Sequence, residues 1–151
     1  HSEDGLIGDT FLQRLEPISS KVAYMTSPGN HEIQSGEADS SSLYFAQYRN
    51  RFTMPRAMGS GSTAGSDTDE GMDMWHSYNL GGIHFISYSS EVFFSATDET
   101  QSRMVQWLTV DLAAANTAEA RAAQPWVVAY AHRPMYCSNV DGDDCTKVDS
   151  V

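Results

Sequence analysis

The chain has 151 residues, 40% of them apolar and 19% charged, which suffices for one globular domain with a sizeable core. A formal charge of -11 is the opposite of the basic footprint that nucleic-acid phosphates require, so no nucleic-acid partner is expected. No run approaches the roughly 20 apolar residues of a membrane span, whereas a small anionic ligand stays admissible because bound cations can reverse a local field.

In chain order, Asp9 is expected to cap a short helix with Phe11, Leu12, Leu15 and Ile18 on one face. Residues 22–25 (Val-Ala-Tyr-Met) read as a short buried strand that ends at the loop Ser27-Pro28-Gly29. A second helix is expected over residues 43–51, with Tyr44, Phe45 and Tyr48 on its buried side. Residues 55–73 are rich in Gly, Ser, Thr and Asp and read as a long loop. Residues 75–80 and 83–88 form two strand-like runs hinged at Gly81-Gly82, a hairpin signature.

The next helix has the clearest signals. Thr97 caps it, Asp98 and Glu99 suit its positive end, and Met104, Val105, Leu108 and Leu112 supply an apolar stripe. Residues 113–123 either continue or break it. Residues 126–130 (Trp-Val-Val-Ala-Tyr) are almost uninterruptedly apolar, as expected of a strand at the centre of a sheet covered on both faces. Alternating helices and strands with one antiparallel hairpin predict an α/β fold with a mixed sheet.

Acidic residues cluster in Asp67-Thr68-Asp69-Glu70 and in Asp141-Gly142-Asp143-Asp144, which read as solvated loops before they read as calcium sites. Cys137 and Cys145 stand seven residues apart in a polar stretch. In an oxidising compartment they are a candidate disulfide closing that loop; in the cytosol they would be two thiols.

Two loops carry chemistry, and each follows a predicted strand: Gly29-Asn30-His31-Glu32 and His132-Arg133-Pro134. Ligand sites of open α/β sheets gather beyond the carboxyl ends of strands, so both loops can face one crevice. A neutral imidazole and an amide oxygen suit zinc, iron or manganese, and Gly29 would let backbone approach a ligand closely. An isolated Asn-His pair is more often a tight turn beside a surface histidine; the setting favours the ligand reading. His76 and His84 read as structural, His1 as solvated, and Trp75, Trp107 and Trp126 as core. Arg133 has two readings, a phosphate contact or the commoner salt bridge.

Pro28-Gly29-Asn30-His31-Glu32 resembles the Gly-Asn-His-Asp/Glu motif of metallophosphoesterases. Residues Ala131-His132-Arg133-Pro134-Met135-Tyr136-Cys137-Ser138 are similar to the later histidine motif of purple acid phosphatases, in particular the animal and fungal-like branch. Tyr48-Arg49-Asn50-Arg51-Phe52-Thr53-Met54-Pro55, Trp75-His76-Ser77-Tyr78-Asn79-Leu80-Gly81 and His84-Phe85-Ile86-Ser87 resemble intervening segments in the same order. The resemblance implies part of an α/β/β/α sandwich and, in the intact parent, hydrolysis of small phosphate monoesters by a dinuclear centre of iron with zinc, manganese or iron. At matching positions it makes Asn30 and His132 ligands of the second metal. His31 becomes the catalytic histidine beside the phosphate, and Glu32 a supporting residue.

The family's first aspartate motif, its Gly-Asp-x-x-Tyr motif and its final Gly-His-x-His motif have no counterpart here, and Ala129 alters the Val-x-x-His pattern before His132. Residues 1–151 are therefore expected to be a single partial catalytic domain cut at both ends, with other parts of the parent chain as partners. Alone it would hold at most one metal and be a poor enzyme. The resemblance places the parent outside the cell or in lysosomes or vacuoles. The rival readings are another metallophosphoesterase, a phosphodiesterase or nucleotidase, and a non-catalytic acidic binding protein that keeps the fold.

Overall fold

The computed structural model describes residues 5–32, 45–55 and 74–135. Helix α1 spans Leu6–Ser19. Its cap position is Gly5, at φ 89°, with no side-chain cap bond, so Asp9 is not the cap: it lies in the first turn. There its carboxylate faces the helix's positive end and pairs with the Arg51 guanidinium, which also donates to the Gly5 carbonyl at 3.3 Å. Leu12 and Leu15 are half-buried while Phe11 and Ile18 are exposed, so only part of the expected face packs down.

Residues 22–25 do not join the described sheet, contrary to the strand expected there, and Val22 and Tyr24 are exposed. Their course is set by side chains instead. Tyr48 Oη donates to the Thr26 carbonyl at 3.0 Å and lies 2.9 Å from Thr26 Oγ1. Tyr48 belongs to α2, Ala46–Arg51. The residue before that helix, Phe45, sits at φ 56° yet is fully buried. A left-handed residue costs about 1–2 kcal/mol, and burying a phenyl ring returns about 1.5–3, so the core can hold Phe45 there.

Strands β1 (His76–Leu80) and β2 (Ile83–Ser87) pair antiparallel, with His76 opposite Ser87 and Leu80 opposite Ile83. Gly81, at φ 57°, makes the two-residue turn between them. Strand β3 (Trp126–Tyr130) pairs parallel to β2, from Ile83 opposite Trp126 to Ser87 opposite Tyr130. The sheet is mixed as expected, in the order β1-β2-β3.

The parallel pair needs a crossover. It consists of α3 (Val92–Ser95), α4 (Asp98–Ala115) and α5 (Ala118–Ala123). The Thr97 side chain accepts from Thr100 N at 3.2 Å, confirming the α4 cap. Thr117 repeats the device with Ala120 N at 3.2 Å, and this second cap is why the helix breaks rather than continues. Met104, Leu108 and Leu112 pack on the core, but Val105 is exposed and Trp107 takes its place. At 100° per residue Val105 points well away from Met104, whereas Trp107, three residues on, returns to the same face.

One cluster of Phe45, Tyr48, Met74, Trp75, Ile86, Val92, Met104 and Trp107 forms the buried centre, with Val127 of β3 against it. Trp75 and Trp107 are core as expected. Trp126 is 69% exposed, and among the described residues β3 is an edge strand rather than the covered centre of a sheet. Only Val127 and Tyr130 of its five residues are partly buried. Its apolar run therefore reports β-propensity more than burial, with Val127 and Tyr130, on opposite faces of the strand, each partly covered.

Candidate metal centre

The parallel strands β2 and β3 end side by side at Ser87 and Tyr130, and Tyr88 N donates to the Tyr130 carbonyl at 3.2 Å just beyond them. The segments leaving these two ends carry Ser90 and Glu91 on one side and His132 and Arg133 on the other. Residues 26–29 are drawn to the same edge, because Ser27 Oγ donates to the Tyr88 carbonyl at 3.3 Å. Both sequence-predicted loops thus meet at the carboxyl end of the sheet.

Pro28 and Gly29 are buried, and the chain then makes one 3₁₀ turn over Asn30–Glu32. Glu32 closes it reciprocally: its amide donates to the Gly29 carbonyl at 3.1 Å, and its carboxylate accepts from Gly29 N at 2.8 Å. This resembles a capping box, with the acid satisfying an orphan amide at the turn's start. The turn presents Asn30 half-exposed and His31 exposed.

His132 lies across this turn. A Cβ added at Gly29 would stand 2.9 Å from each of three ring atoms, Cγ, Nδ1 and Cε1, so the imidazole lies face-down on the glycine. Gly29 is required here for close approach, not for an unusual φ. The ring's Nε2 lies 3.1 Å from Asn30 Oδ1, joining side chains 102 residues apart in sequence.

That separation bears on cation binding. Donors about 2.0–2.1 Å from one cation and at right angles to each other stand about 3 Å apart. Asn30 and His132 meet this condition, and one amide oxygen with one imidazole nitrogen is an acceptable donor set for zinc, iron or manganese. Two donors are a partial shell; among the described residues no group of three or more His, Cys, Asp or Glu side chains is placed to hold a metal.

Arg133 does not meet the crevice as a free cation. Its Nε and Nη2 donate to Glu91 Oε1 and Oε2 at 2.8 and 2.9 Å, and its guanidinium stacks 4.3 Å from the centre of the Phe94 ring. Of the two readings for Arg133, the salt bridge is present in the structure. Glu91 and Ser90 escaped sequence reading, since Ser89-Ser90-Glu91 looks like ordinary turn; its only signal was its position directly after a strand. Cys137, Cys145 and Tyr136 lie outside the described residues.

The other histidines sit elsewhere. His84 is held between Asn79 Oδ1 at 2.6 Å and Asp111 Oδ2 at 2.8 Å, and Ser77 Oγ donates to Asp111 Oδ1 at 2.6 Å. His76 is fully buried on β1, with its Nε2 3.3 Å from Tyr130 Oη and no partner at Nδ1. Burial alone lowers its pKa to about 4, so the ring is neutral near pH 7. Burial also pushes Tyr130 up to about 12, keeping that hydroxyl protonated.

A calcineurin-like phosphoesterase family model matches residues 2–151. The chain is 41% identical to acid phosphatase type 7 of Danio rerio over 153 residues, covering 99% of the chain and 30% of that relative. It is 39% identical to acid phosphatase type 7 of Homo sapiens, covering 98% of the chain and 29% of the relative. It is also 33% identical to purple acid phosphatase 23 of Arabidopsis thaliana, over 86% of the chain and 24% of that protein. The chain thus spans less than a third of the length of these relatives. With a mixed α/β fold and a family match over nearly its whole length, the chain belongs to the calcineurin-like phosphoesterase family.

Proposed function

We propose that the chain supplies one side of a dinuclear phosphomonoesterase centre, with Asn30 and His132 as ligands of one cation. The observation that carries this is the 3.1 Å separation of Asn30 Oδ1 and His132 Nε2 at the carboxyl end of a parallel strand pair. The names of the acid phosphatase relatives support the reaction class. The reaction is the hydrolysis of a phosphate monoester to an alcohol and inorganic phosphate, and the cations are iron with zinc, manganese or iron.

When bound, the cation pair supplies Lewis acidity toward the phosphoryl oxygens. The chain's own residues do the remaining work on this side. Asn30 and His132 offer neutral donors and add no negative charge of their own, so an anionic substrate is not repelled by them. His31, exposed on the same turn, hydrogen-bonds the substrate phosphate and delivers a proton to the departing alcohol oxygen. Glu32 keeps the turn closed through Gly29 N, which fixes where Asn30 and His31 project.

The same reading places the parent in a secreted, lysosomal or vacuolar setting, where Cys137 and Cys145 pair. It is tested with the full-length protein that carries this chain, on p-nitrophenyl phosphate and on its bis-ester. Turnover of the monoester, abolished by chelation and lowered at least 100-fold by Asn30→Ala or His132→Ala, is expected. Preference for the diester would assign a phosphodiesterase instead, and no metal-dependent turnover would favour a non-catalytic role.

A further inference from the structure

Immediately after His132, Arg133 is held by both its backbone and its side chain. Its amide donates to Ser90 Oγ at 3.0 Å, Ser90 Oγ donates to Glu91 Oε1 at 3.1 Å, and Arg133 Nε donates to that same oxygen at 2.8 Å. With the second bond from Nη2 to Oε2 at 2.9 Å, the arrangement closes a ring through Ser90, Glu91 and Arg133. Glu91 is fully buried, Ser90 is 5% exposed and the Arg133 side chain 12%. A carboxylate taken wholly out of water is retained only where its partners satisfy it.

We propose that Glu91 is a positioning residue for His132. Resting on the reading of Asn30 and His132 as cation ligands, the proposal adds a group that touches neither cation nor substrate. The Ser90 and Arg133 contacts fix the peptide bond that joins residues 132 and 133, and with it the direction in which the imidazole leaves the backbone. His132 is exposed, with its ring on Gly29 and its Nε2 at Asn30 Oδ1, and its backbone end is a further determinant of where the ring lies. Glu91 anchors that end. The bidentate Arg-carboxylate fork fixes the guanidinium through two parallel bonds, which adds geometric specificity over a lone hydrogen bond.

A purely structural ion pair and a positioning device differ in what survives when both charges are removed together. Deleting one partner leaves a buried charge and threatens the fold; deleting both is often tolerated. Two variants are therefore compared in the full-length protein, Glu91→Gln and the charge-free pair Glu91→Gln with Arg133→Met. The readouts are the unfolding midpoint and, with Mn2+ alone as probe, calorimetric affinity and stoichiometry. Asn30→Ala and His132→Ala serve as references.

Where the midpoint of either variant stays near that of the parent, the affinity for the Asn30–His132 cation is expected to fall about 10- to 100-fold, as for other groups that orient a ligand. The other equivalent should hold unchanged. Affinity within twofold of the parent in the folded paired variant overturns the positioning role while leaving the ligand reading intact. If Asn30→Ala and His132→Ala themselves leave Mn2+ binding unchanged, the ligand reading falls, and the positioning role falls with it.

Discussion

Asn30 and His132, 102 residues apart in sequence, meet at 3.1 Å between Oδ1 and Nε2, and Gly29 beneath them leaves just enough room for the imidazole. The contact depends on a strand end, a 3₁₀ turn and a glycine acting together. Each of these can be perturbed separately.

Gly29→Ala separates function from stability. The added methyl would stand 2.9 Å from three His132 ring atoms, Cγ among them, although Gly29 needs no left-handed φ. The whole ring must turn about its Cα–Cβ bond, away from Asn30 Oδ1. A stability loss of at most about 1 kcal/mol is expected, with kcat/KM on p-nitrophenyl phosphate lowered about 10- to 100-fold. Denaturant melts beside steady-state assays of the full-length protein check this; equal activity in the variant would mean that His132 need not lie over Gly29.

His76 makes the fold acid-sensitive. Burial holds its folded pKa at about 4, below the ordinary histidine value of 6.5. Between these values the unfolded chain takes up a proton that the buried ring refuses, so this contribution is complete above about pH 6.5 and is lost as pH falls toward 4. The span corresponds to at most about 3 kcal/mol. His76→Phe keeps an aromatic ring beside Tyr78, with which His76 now stacks, and should flatten the unfolding midpoint over that window. An unchanged pH dependence in His76→Phe would assign the acid sensitivity to other groups.

Asp111 ties helix α4 to the hairpin, accepting from Ser77 Oγ at 2.6 Å and meeting His84 Nε2 at 2.8 Å. Asp111→Ala strands two polar side chains and is expected to cost about 1–3 kcal/mol in chemical denaturation. Activity per folded molecule should hold, since none of these residues belongs to the Asn30–His132 turn. A loss of activity at full folding would show coupling between the hairpin and the site.

The 151-residue chain assayed by itself should be a poor phosphatase, because its described residues bring together two candidate donors and no larger cluster. Turnover of p-nitrophenyl phosphate near that of the full-length protein would contradict this, as would two tightly held equivalents of metal per chain.

Much of this was legible in the sequence where the deciding signal is local. Thr97 with Asp98 and Glu99 marks a helix start because a cap bonds three residues on, and Gly81-Gly82 marks the hairpin because its turn needs a permissive residue. Asn30 and His132 stood out because each sits in a loop after a strand-like run, though residues 22–25 do not pair into the described sheet. What depends on distant partners was not legible. Asp9 looked like a cap until Arg51 claimed it, and the apolar run at β3 could not reveal that it forms an edge among the described residues. Glu91 carries no motif; its burial against Arg133 arises only when β2 and β3 end together. Val105 fell outside the packed face because the apolar stripe of α4 is wider than the face that packs.

The shared cation is tested most directly by anomalous scattering from crystals of the full-length protein loaded with Mn2+ or Zn2+. A peak about 2.0–2.2 Å from both Asn30 Oδ1 and His132 Nε2 is the predicted result. Metal peaks in the same crystals that leave the Asn30–His132 contact intact and approach neither atom would contradict it.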